Sequence, residues 1–481
     1  MIGVDAAELS LIRSARSRLP NLARALDAGV LRRLRSTADL LAGSVWPTFY
    51  TGALPGVHGI YHHLQWDAER MRLRRVADDW LHAEPFWYEL ERRGKRVVAL
   101  DVPMTFPSRL TRGVEVTCWG SHDQLVPFST RPARLAGTLR RRFGRHPMGD
   151  EIPVEKSAGE RERIRARLVE GARRKAELSL ALLREHEWDF FVTVFGECHR
   201  GGHLLWPEEG AEGDGGLPSA LLDVYRAVDA GVGKLLDALR REDATVVVFA
   251  LHGMGPNTSQ EHFVPRVMDR LAGAAAPAAA PPARRGAMRF LRETLPAPLQ
   301  NAVARAVPVA VRDLVVSRAT TGGHDWGATP AFAVLADLNG YLRFNLRGRE
   351  RDGILDPGGA AHARRRDALR EAFCGLRIAG TDAPLVGAVR FAQDELPGVR
   401  SHHLPDVVVT WSGAPPAEQV ASDRLGTISG SIATGRTGNH RPDGFCVVLR
   451  PGAESGGEEA AGHITDLAPL AMDALLNEEA R

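Results

Sequence analysis

The feature that most constrains the fold is an alternation along the chain between short, β-branched apolar runs and longer segments rich in Arg, Leu and Ala. Strands are predicted at residues 1–4, 96–100, 114–119, 190–195, 245–251, 406–411 and 445–450. Helices are predicted at residues 85–93, 158–186, 217–240, 363–376 and 465–477. Apolar strands separated by helices are typical of a mostly parallel sheet that is covered on both faces. The sequence therefore predicts an α/β fold, a three-layer sandwich with a central, mostly parallel sheet between helices.

One segment breaks this alternation. Residues 272–285 read AGAAAPAAAPPARR, a composition of low complexity that is rich in Ala and Pro. The following residues, 287–318, look helical and contain no clear strand. We predict an insertion or small helical cap over 266–321, which divides the core into residues 1–265 and 322–481. An unstructured surface loop is the alternative for this segment.

Composition excludes several classes of protein. The 481 residues are 44% hydrophobic and 25% charged, as in ordinary soluble domains, and the net charge of +3 gives no indication of nucleic-acid binding. The four cysteines are scattered without a CxxC pair, which argues against a disulfide framework and against a thiolate zinc site. The first residues do not resemble a secretory signal, and no run of about 18 apolar residues predicts a membrane span. We therefore expect a soluble cytoplasmic protein that does not bind membranes.

Polar residues cluster where the predicted strands end. In an open parallel sheet, ligands bind beyond the carboxyl ends of the strands, so these residues are candidates for a site. Three strands are followed by such residues, and one candidate lies in a loop a few residues before the last strand. The candidates are Asp5, Glu197, His199, His203, His252 and His440.

Each candidate has an ordinary structural interpretation when taken alone, as a helix cap or as a hydrogen-bonded histidine. Their coincidence at several strand ends favours a metal site, because imidazole and carboxylate are ligands that zinc and manganese accept. His199 and His203 are four residues apart and share a face if the chain is helical there. We therefore predict a metal cluster at this edge of the sheet.

The stretch SVWPTFYTG at residues 44–52 is a second candidate for chemistry. Ser44 precedes a short helix-like run with Pro47 in its first turn, which is typical of a helix N-cap. A serine in this position can also present its hydroxyl, together with unpaired backbone N–H groups, to an anion. The stretch alone does not choose between these two interpretations.

Together, these residues resemble the type I phosphodiesterase/nucleotide pyrophosphatase branch of the alkaline phosphatase superfamily. The resemblance covers nearly the whole chain in order. The matching motifs are MIGVDAAE at 1–8, TGALPGVHGI at 51–60, HRGGHLLW at 199–206, Leu251-His252-Gly253, DWGATPAF from residue 325 and GNHRPDGFCVVL at 438–449.

The resemblance implies an enzyme that hydrolyses small phosphoesters, with phosphodiesters or pyrophosphates favoured, through a covalent intermediate. Its cofactors would be one or two divalent metal ions, zinc in the first place and manganese as the alternative. Ser44 would be the nucleophile, and Thr48 and His324 would contact the substrate. The metal ligands would be Asp5, Glu197, His199, His203, His252 and His440.

Three departures from the family pattern leave alternatives open. Leu251 stands where the family has a metal-binding Asp, and His199 stands where an Asp is usual. The usual spacing before the TG pair places the nucleophile at Ala42, two residues before Ser44. An altered but working metallohydrolase is the first interpretation. A metal-water hydrolase or sulfatase-like enzyme without a covalent intermediate, and a non-catalytic protein that binds a ligand or partner, are the others.

Overall fold

The structure is a computed structural model that describes residues 1–149, 157–206, 219–273, 307–335, 338–430, 435–452 and 456–476. The helices within these ranges are α1 Leu9–Ser14, α2 Pro20–Ala28, α3 Val45–Thr51, α4 Pro55–His58, α5 Phe86–Arg92, α6 Leu135–Phe143, α7 Ala158–Glu185, α8 Glu197–Leu205, α9 Ser219–Arg241, α10 Val264–Gly273, α11 Val309–Thr321, α12 Ala360–Cys374, α13 Ala392–Glu395 and α14 Leu467–Leu476. The strands are β1 Ile2–Val4, β2 Val30–Arg35, β3 Leu64–Asp67, β4 Arg72–Arg75, β5 Val97–Leu100, β6 Val114–Thr117, β7 Ser129–Arg131, β8 Phe190–Phe195, β9 Val246–Ala250, β10 Gly253–Pro256, β11 Ala331–Val334, β12 Gly340–Phe344, β13 Arg377–Ile378, β14 Val386–Phe391, β15 Val407–Trp411, β16 Gln419–Ser422, β17 Gly426–Ser429, β18 Gly438–Arg441, β19 Asp443–Leu449 and β20 Gly457–His463.

Nine strands form the central sheet, in the order β20-β2-β19-β9-β1-β8-β5-β6-β7. The five neighbours β9, β1, β8, β5 and β6 pair in parallel, and β20 pairs in parallel with β2. Strand β19 is antiparallel to both of its neighbours, and β7 is antiparallel to β6. The prediction of a mostly parallel sheet in an α/β fold is therefore confirmed.

Helices seal both faces of this sheet. One core cluster contains Leu178 of α7 and Val232 of α9, and the cluster on the other face contains Phe49 of α3 and Trp87 of α5. Because both faces are covered, all six residues of β8 are buried, and the strand is a continuous apolar run without alternation. Burying each large apolar side chain contributes about 1.5–3 kcal/mol. The edge at the strand ends is thereby left as the place for a polar site.

The long helix α7 shows how local sequence fixes an element. Its N-cap Ser157 accepts a hydrogen bond from the backbone N–H of Glu160, and the Glu160 carboxylate accepts one from the N–H of Ser157. This capping box satisfies two backbone donors that the helix itself cannot pair. Helix α7 therefore begins at residue 158, as the sequence predicts.

A second sheet lies beside the central one, with four antiparallel strands in the order β11-β12-β15-β14. Its apolar side chains pack with those of α10 and α12, as the cluster of Val267, Phe344, Phe373 and Val409 shows. The strand predicted at 406–411 is β15 and belongs to this second sheet. The strand predicted at 445–450 is β19 and belongs to the central sheet.

The predicted insertion at 266–321 falls partly outside the described residues, since 274–306 are not among them. Its final part is α11, which packs on the hairpin of β3 and β4. Ser317 Oγ accepts a hydrogen bond of 2.9 Å from the backbone N–H of Leu73, and Arg75 forms an ion pair of 2.8 Å with Asp313. The boundaries at 266 and 321 remain a prediction. Every helix within the described ranges is too short or too polar to cross a lipid bilayer.

Candidate metal centre

The carboxyl ends of three neighbouring strands, β1, β8 and β9, carry the first candidate ligands. Asp5 directly follows β1, and His252 lies two residues after β9. Helix α8 begins at Glu197, two residues after β8 ends, so the chain is helical where the histidines lie. His199 and His203 are therefore one turn apart on the same face of α8.

His440 reaches the same edge on the short strand β18. This strand pairs antiparallel with β10, and His440 lies opposite Met254. A Cβ atom added at Gly438 would lie 2.2 Å from the carbonyl oxygen of Gly202, so the close approach of the two backbones requires glycine. Gly202 precedes His203 on α8, and the contact therefore places His440 beside that histidine.

The first group of candidate ligands is His199, His203 and His440. His203 Nε2 lies 3.0 Å from His199 Nε2 and 3.0 Å from His440 Nε2. His203 Nδ1 lies 3.0 Å from the carbonyl oxygen of Gly438, which only accepts, so Nδ1 donates the ring proton. In the neutral ring, Nε2 then has a lone pair that faces two other imidazole nitrogens. Such an arrangement is suited to bind a divalent cation.

The second group is Asp5, His199 and His252. Asp5 Oδ2 lies 3.1 Å from His199 Nδ1, and Asp5 Oδ1 lies 3.6 Å from His252 Nε2. His252 Nδ1 lies 3.0 Å from the carbonyl oxygen of Gly253, so in this ring, too, Nε2 has the lone pair. The indole Nε1 of Trp46 donates a hydrogen bond of 3.1 Å to Asp5 Oδ1. Hydrogen bonds of this kind orient metal ligands.

One residue that the sequence analysis missed lies against this second group. His122 Nδ1 is 3.4 Å from Asp5 Oδ2, and the His122 ring stacks on that of His199 with centroids 3.7 Å apart. His122 follows β6, which the sequence analysis predicted as a strand at 114–119. Applying the strand-end rule to that strand would have identified the residue.

The loop that carries His122 is held by Asp101, which directly follows β5. The Asp101 carboxylate accepts backbone N–H hydrogen bonds from Trp119 over 2.8 Å and from Gly120 over 2.7 Å. It also forms a buried ion pair with Lys175. Burial by itself would raise the pKa of Asp101, but Lys175 and the amide donors outweigh it and hold that pKa below its usual value. Asp101 is therefore ionised and fixes the loop between β6 and His122.

Glu197 is not a member of either group of candidate ligands. Its side chain lies near the loop that Asp101 holds. Its Oε1 atom is 3.0 Å from His146 Nε2. His146 Nδ1 accepts a hydrogen bond of 3.2 Å from the N–H of Met148, so Nε2 has the proton and donates it to Glu197. Arg200, on the same helix, donates to the carbonyl oxygen of Gly120 over 3.3 Å. The ligand role of Glu197 remains a prediction without support from these contacts.

Ser44 is the N-cap residue of α3 and is fully buried. Its hydroxyl donates a hydrogen bond of 2.6 Å to the carbonyl oxygen of Leu41 and lies 2.7 Å from Thr37 Oγ1. Two residues further along is Trp46, whose indole contacts Asp5. Ser44 therefore lies on the segment that touches the second group, but both of its hydrogen bonds are to that segment's own turns.

The two residues predicted to contact the substrate have other neighbours. Thr48 Oγ1 lies 3.0 Å from His58 Nε2, which has the ring proton because His58 Nδ1 accepts from the N–H of Ile60. Burial lowers the pKa of His58 to about 3, so this bond between α3 and α4 is between neutral groups. The ring of His324 lies 5.0 Å from that of Trp326. The substrate roles of Thr48 and His324 remain predictions.

The imidazole of His199 is present in its neutral form. Burial lowers the pKa of His199 well below its usual value, and the neighbouring histidines lower it further. Neutral imidazole is the form that binds metal ions. The side chains of both groups are almost fully buried. The donor set therefore fits a divalent metal ion of the kind that accepts nitrogen ligands.

A three-layer α/β fold with imidazole and carboxylate side chains at its central strand ends is the architecture of an alkaline phosphatase-like hydrolase. The type I phosphodiesterase/nucleotide pyrophosphatase family model matches residues 1–300, which is more than half of the chain. The chain belongs to this family, and the resemblance inferred from its motifs is confirmed. The prediction that it is an enzyme of this type is confirmed as well. No curated protein sequence matches the chain.

Solved structures of this superfamily share the fold. The phosphonoacetate hydrolase from Sinorhizobium meliloti 1021, in complex with phosphonoacetate, is 17% identical with a TM-score of 0.52, covering 98% of this chain and 95% of that chain. Murine ectonucleotide pyrophosphatase/phosphodiesterase 5 is 13% identical with a TM-score of 0.51, covering 98% of this chain and 94% of that chain. At these identities the likeness shows the fold alone, and it confirms the predicted alkaline phosphatase-like architecture.

Proposed function

We propose that this protein hydrolyses phosphoesters, with phosphodiesters and pyrophosphates as its preferred substrates. The observation that carries the proposal is the convergence of Asp5, His199, His203, His252 and His440, which are far apart in the sequence. Their lone pairs meet at the carboxyl ends of the central strands, where α/β proteins bind ligands. Membership of the family supplies the class of reaction.

The ligand set favours zinc, with manganese as the alternative, because four of the five convergent side chains are imidazoles. A divalent cation bound there neutralises the phosphate oxygens and activates a hydroxyl or a water molecule. The protein's own contribution is to orient the ligands. Trp46 holds one oxygen of Asp5, and the carbonyl groups of Gly438 and Gly253 fix the rings of His203 and His252.

The charge of the centre supports a multiply charged substrate. Asp5 is the one carboxylate in the two groups. Leu251, directly before His252, is buried and contributes no charge. Divalent cations held mainly by neutral rings keep most of their positive charge, and burial strengthens their attraction for an anion. A pyrophosphate bond, flanked by several negative oxygens, suits such a site.

A substrate panel tests this proposal. The p-nitrophenyl ester of thymidine monophosphate represents phosphodiesters, ATP represents pyrophosphates, and p-nitrophenyl phosphate and p-nitrophenyl sulfate represent the competing classes. We expect kcat/KM to be highest for the first two. Hydrolysis of the sulfate alone would contradict the proposal. A purified protein that binds no metal and cleaves none of the four, with zinc or manganese added, would favour the non-catalytic interpretation.

Murine ectonucleotide pyrophosphatase/phosphodiesterase 5 has been solved with AMP, so AMP is a suitable competitive inhibitor to include.

Removing divalent ions is expected to lower the melting temperature as well as the activity. A ligand at about 100 times its Kd stabilises the folded state by about 2.7 kcal/mol, and a cation here also relieves the repulsion between lone pairs. Thermal unfolding should therefore shift upwards by several degrees when zinc or manganese is added to chelated protein. Magnesium is the control, since it prefers oxygen ligands. An unchanged melting temperature with zinc and manganese would show that the groups do not bind these ions.

We also propose Ser44 as the nucleophile, supported by its place on the turn that leads to Trp46 and Asp5. Ser44→Ala is expected to lower kcat by at least about 10³-fold and to leave metal content unchanged. The matched control is Thr51→Ala on the same helix, whose hydroxyl bonds only within α3 and its C-terminal turn. Turnover by Ser44→Ala at the wild-type rate would instead assign the attack to water, without affecting the proposed reaction.

A further inference from the structure

The imidazole of His199 lies between the two groups of ligands. Its Nε2 atom is 3.0 Å from His203 Nε2, within the group that also contains His440. Its Nδ1 atom is 3.1 Å from Asp5 Oδ2. Both nitrogens of one ring therefore face candidate ligand atoms, on opposite sides of the ring.

Three buried atoms at the Asp5 end have no hydrogen-bond partner. They are Asp5 Oδ2, His122 Nδ1 and His199 Nδ1. The distances from Asp5 Oδ2 to the two nitrogens are 3.4 and 3.1 Å. An unsatisfied buried polar atom costs about 1–3 kcal/mol, so three of them in contact need an explanation. A bound cation would provide these atoms with a partner.

The surroundings of His122 match those of a metal ligand. Its side chain is 8% exposed, and its second nitrogen, Nε2, lies 3.8 Å from Asp123 Oδ2. A histidine that binds a metal through one nitrogen commonly directs the other towards a carboxylate. Asp101 holds the backbone of the preceding residues, which fixes the loop that carries His122. At the end of β9, by contrast, Leu251 has no ligand atom to offer.

We propose that His122 is a metal ligand, which joins Asp5, His252 and the Nδ1 atom of His199 in holding a second cation. The imidazole of His199 then joins two cations, because its Nε2 atom binds the cation of His203 and His440. Binding through both nitrogens requires that the ring's N–H proton leaves to solvent, so the ring becomes an anion. The negative charge of the ring takes the place of the carboxylate charge that Leu251 does not provide. The inference rests on the metal binding in the proposed function.

Metal content tests this inference without any assay of activity. Each protein is stripped with chelator, loaded with zinc, desalted and measured by elemental analysis. We expect two zinc ions per chain in the wild type and one in His122→Ala. His262→Ala is the control, since this partly buried histidine bonds to the carbonyl oxygen of Ala417 in another part of the fold, and it should keep two. Circular dichroism establishes that each variant is folded, and His122→Gln replaces His122→Ala if the latter is not.

The outcomes separate the two proposals. A wild type without zinc would contradict the metal site of the proposed function and this inference with it. One zinc in the wild type, or two in His122→Ala, would overturn the role of His122 while the proposed function stands.

The shared ring has its own test. With two Cu²⁺ ions loaded per chain, an imidazole bound through both nitrogens couples their unpaired electrons. The integrated electron paramagnetic resonance signal at low temperature should therefore fall well below two spins. His122→Ala, with a single Cu²⁺ ion, should give the full signal of one spin. A full two-spin signal from the wild type would overturn the bridge.

Discussion

Replacing His203 by alanine is expected to lower kcat/KM for the best substrate by about 10³-fold or more. The Nε2 atom of His203 lies 3.0 Å from both His199 and His440, so its loss removes the central member of the first group. A bound metal contributes several kcal/mol of transition-state stabilisation, and about 4 kcal/mol corresponds to a thousand-fold in rate. Steady-state kinetics together with metal analysis should show activity and metal content falling together.

The control for this variant is His186→Ala, at the end of α7 and away from the centre. It should keep both metal content and kcat/KM. A His203→Ala protein that is folded, has lost metal and still turns over at the wild-type rate would contradict the proposed centre. A folded His203→Ala protein whose metal content equals that of the wild type would show that His203 is not a ligand.

Replacing Lys175 by methionine is expected to lower the free energy of unfolding by about 3 kcal/mol. The side chains of Lys175 and Asp101 are 2% and 1% exposed, and the substitution leaves the Asp101 charge buried with only its amide donors. Methionine keeps most of the volume of the lysine stem. The decrease in unfolding free energy therefore measures the effect of removing the charge and not that of creating a cavity. Denaturant unfolding at pH 7 measures the difference.

The matched control is Glu185→Gln, which breaks the exposed pair of Arg142 and Glu185. That pair also has a short contact, 2.7 Å, but its side chains are 43% and 47% exposed. Water screens such a pair, and the expected change is within about 1 kcal/mol. Equal losses of unfolding free energy in Lys175→Met and Glu185→Gln would show that burial does not make the Lys175–Asp101 pair stronger than an exposed pair.

The same pair has a predictable dependence on pH. The pKa of Asp101 is lower in the folded protein than in the unfolded chain, where it is about 3.9. The pair therefore stabilises the fold at neutral pH, and this contribution is lost as the pH falls below about 4. The difference in stability between wild type and Lys175→Met should shrink over that range. A difference that is constant from pH 7 to pH 3 would contradict the assignment of the effect to an ionised Asp101.

Much of the fold could be predicted from local patterns. The helix predicted at 158–186 is α7, Ala158–Glu185. It could be predicted because residues close together in the sequence form its capping box and its helical run. Strand β8 was predicted at its observed bounds, since a strand buried on both faces is a continuous apolar run. The strand at 406–411 exists as β15, but nothing local indicated that it pairs in the second sheet.

The candidate site could be predicted only in part. The residue types at the ends of β1, β8 and β9 indicated Asp5, His199 and His252, because the carboxyl ends of parallel strands lie at the same edge of the sheet, where ligands bind. His122 was not found, although it follows a predicted strand. Glu197 was grouped with the ligands because it follows β8; its Oε1 atom contacts His146, and its role as a ligand remains a prediction. The direction of a side chain at a helix start depends on what packs against it.

The sequence by itself determined the order of the elements and the kinds of side chain at the edge of the sheet, because burial and turn chemistry leave local patterns. Only the tertiary structure decided which atoms meet. It places the ring of His199 between two groups, and it brings His122 to Asp5 from a strand three positions away in the central sheet. The physical reason is that such contacts depend on the packing of distant segments. The periodicity of one segment does not predict which distant segments pack against it.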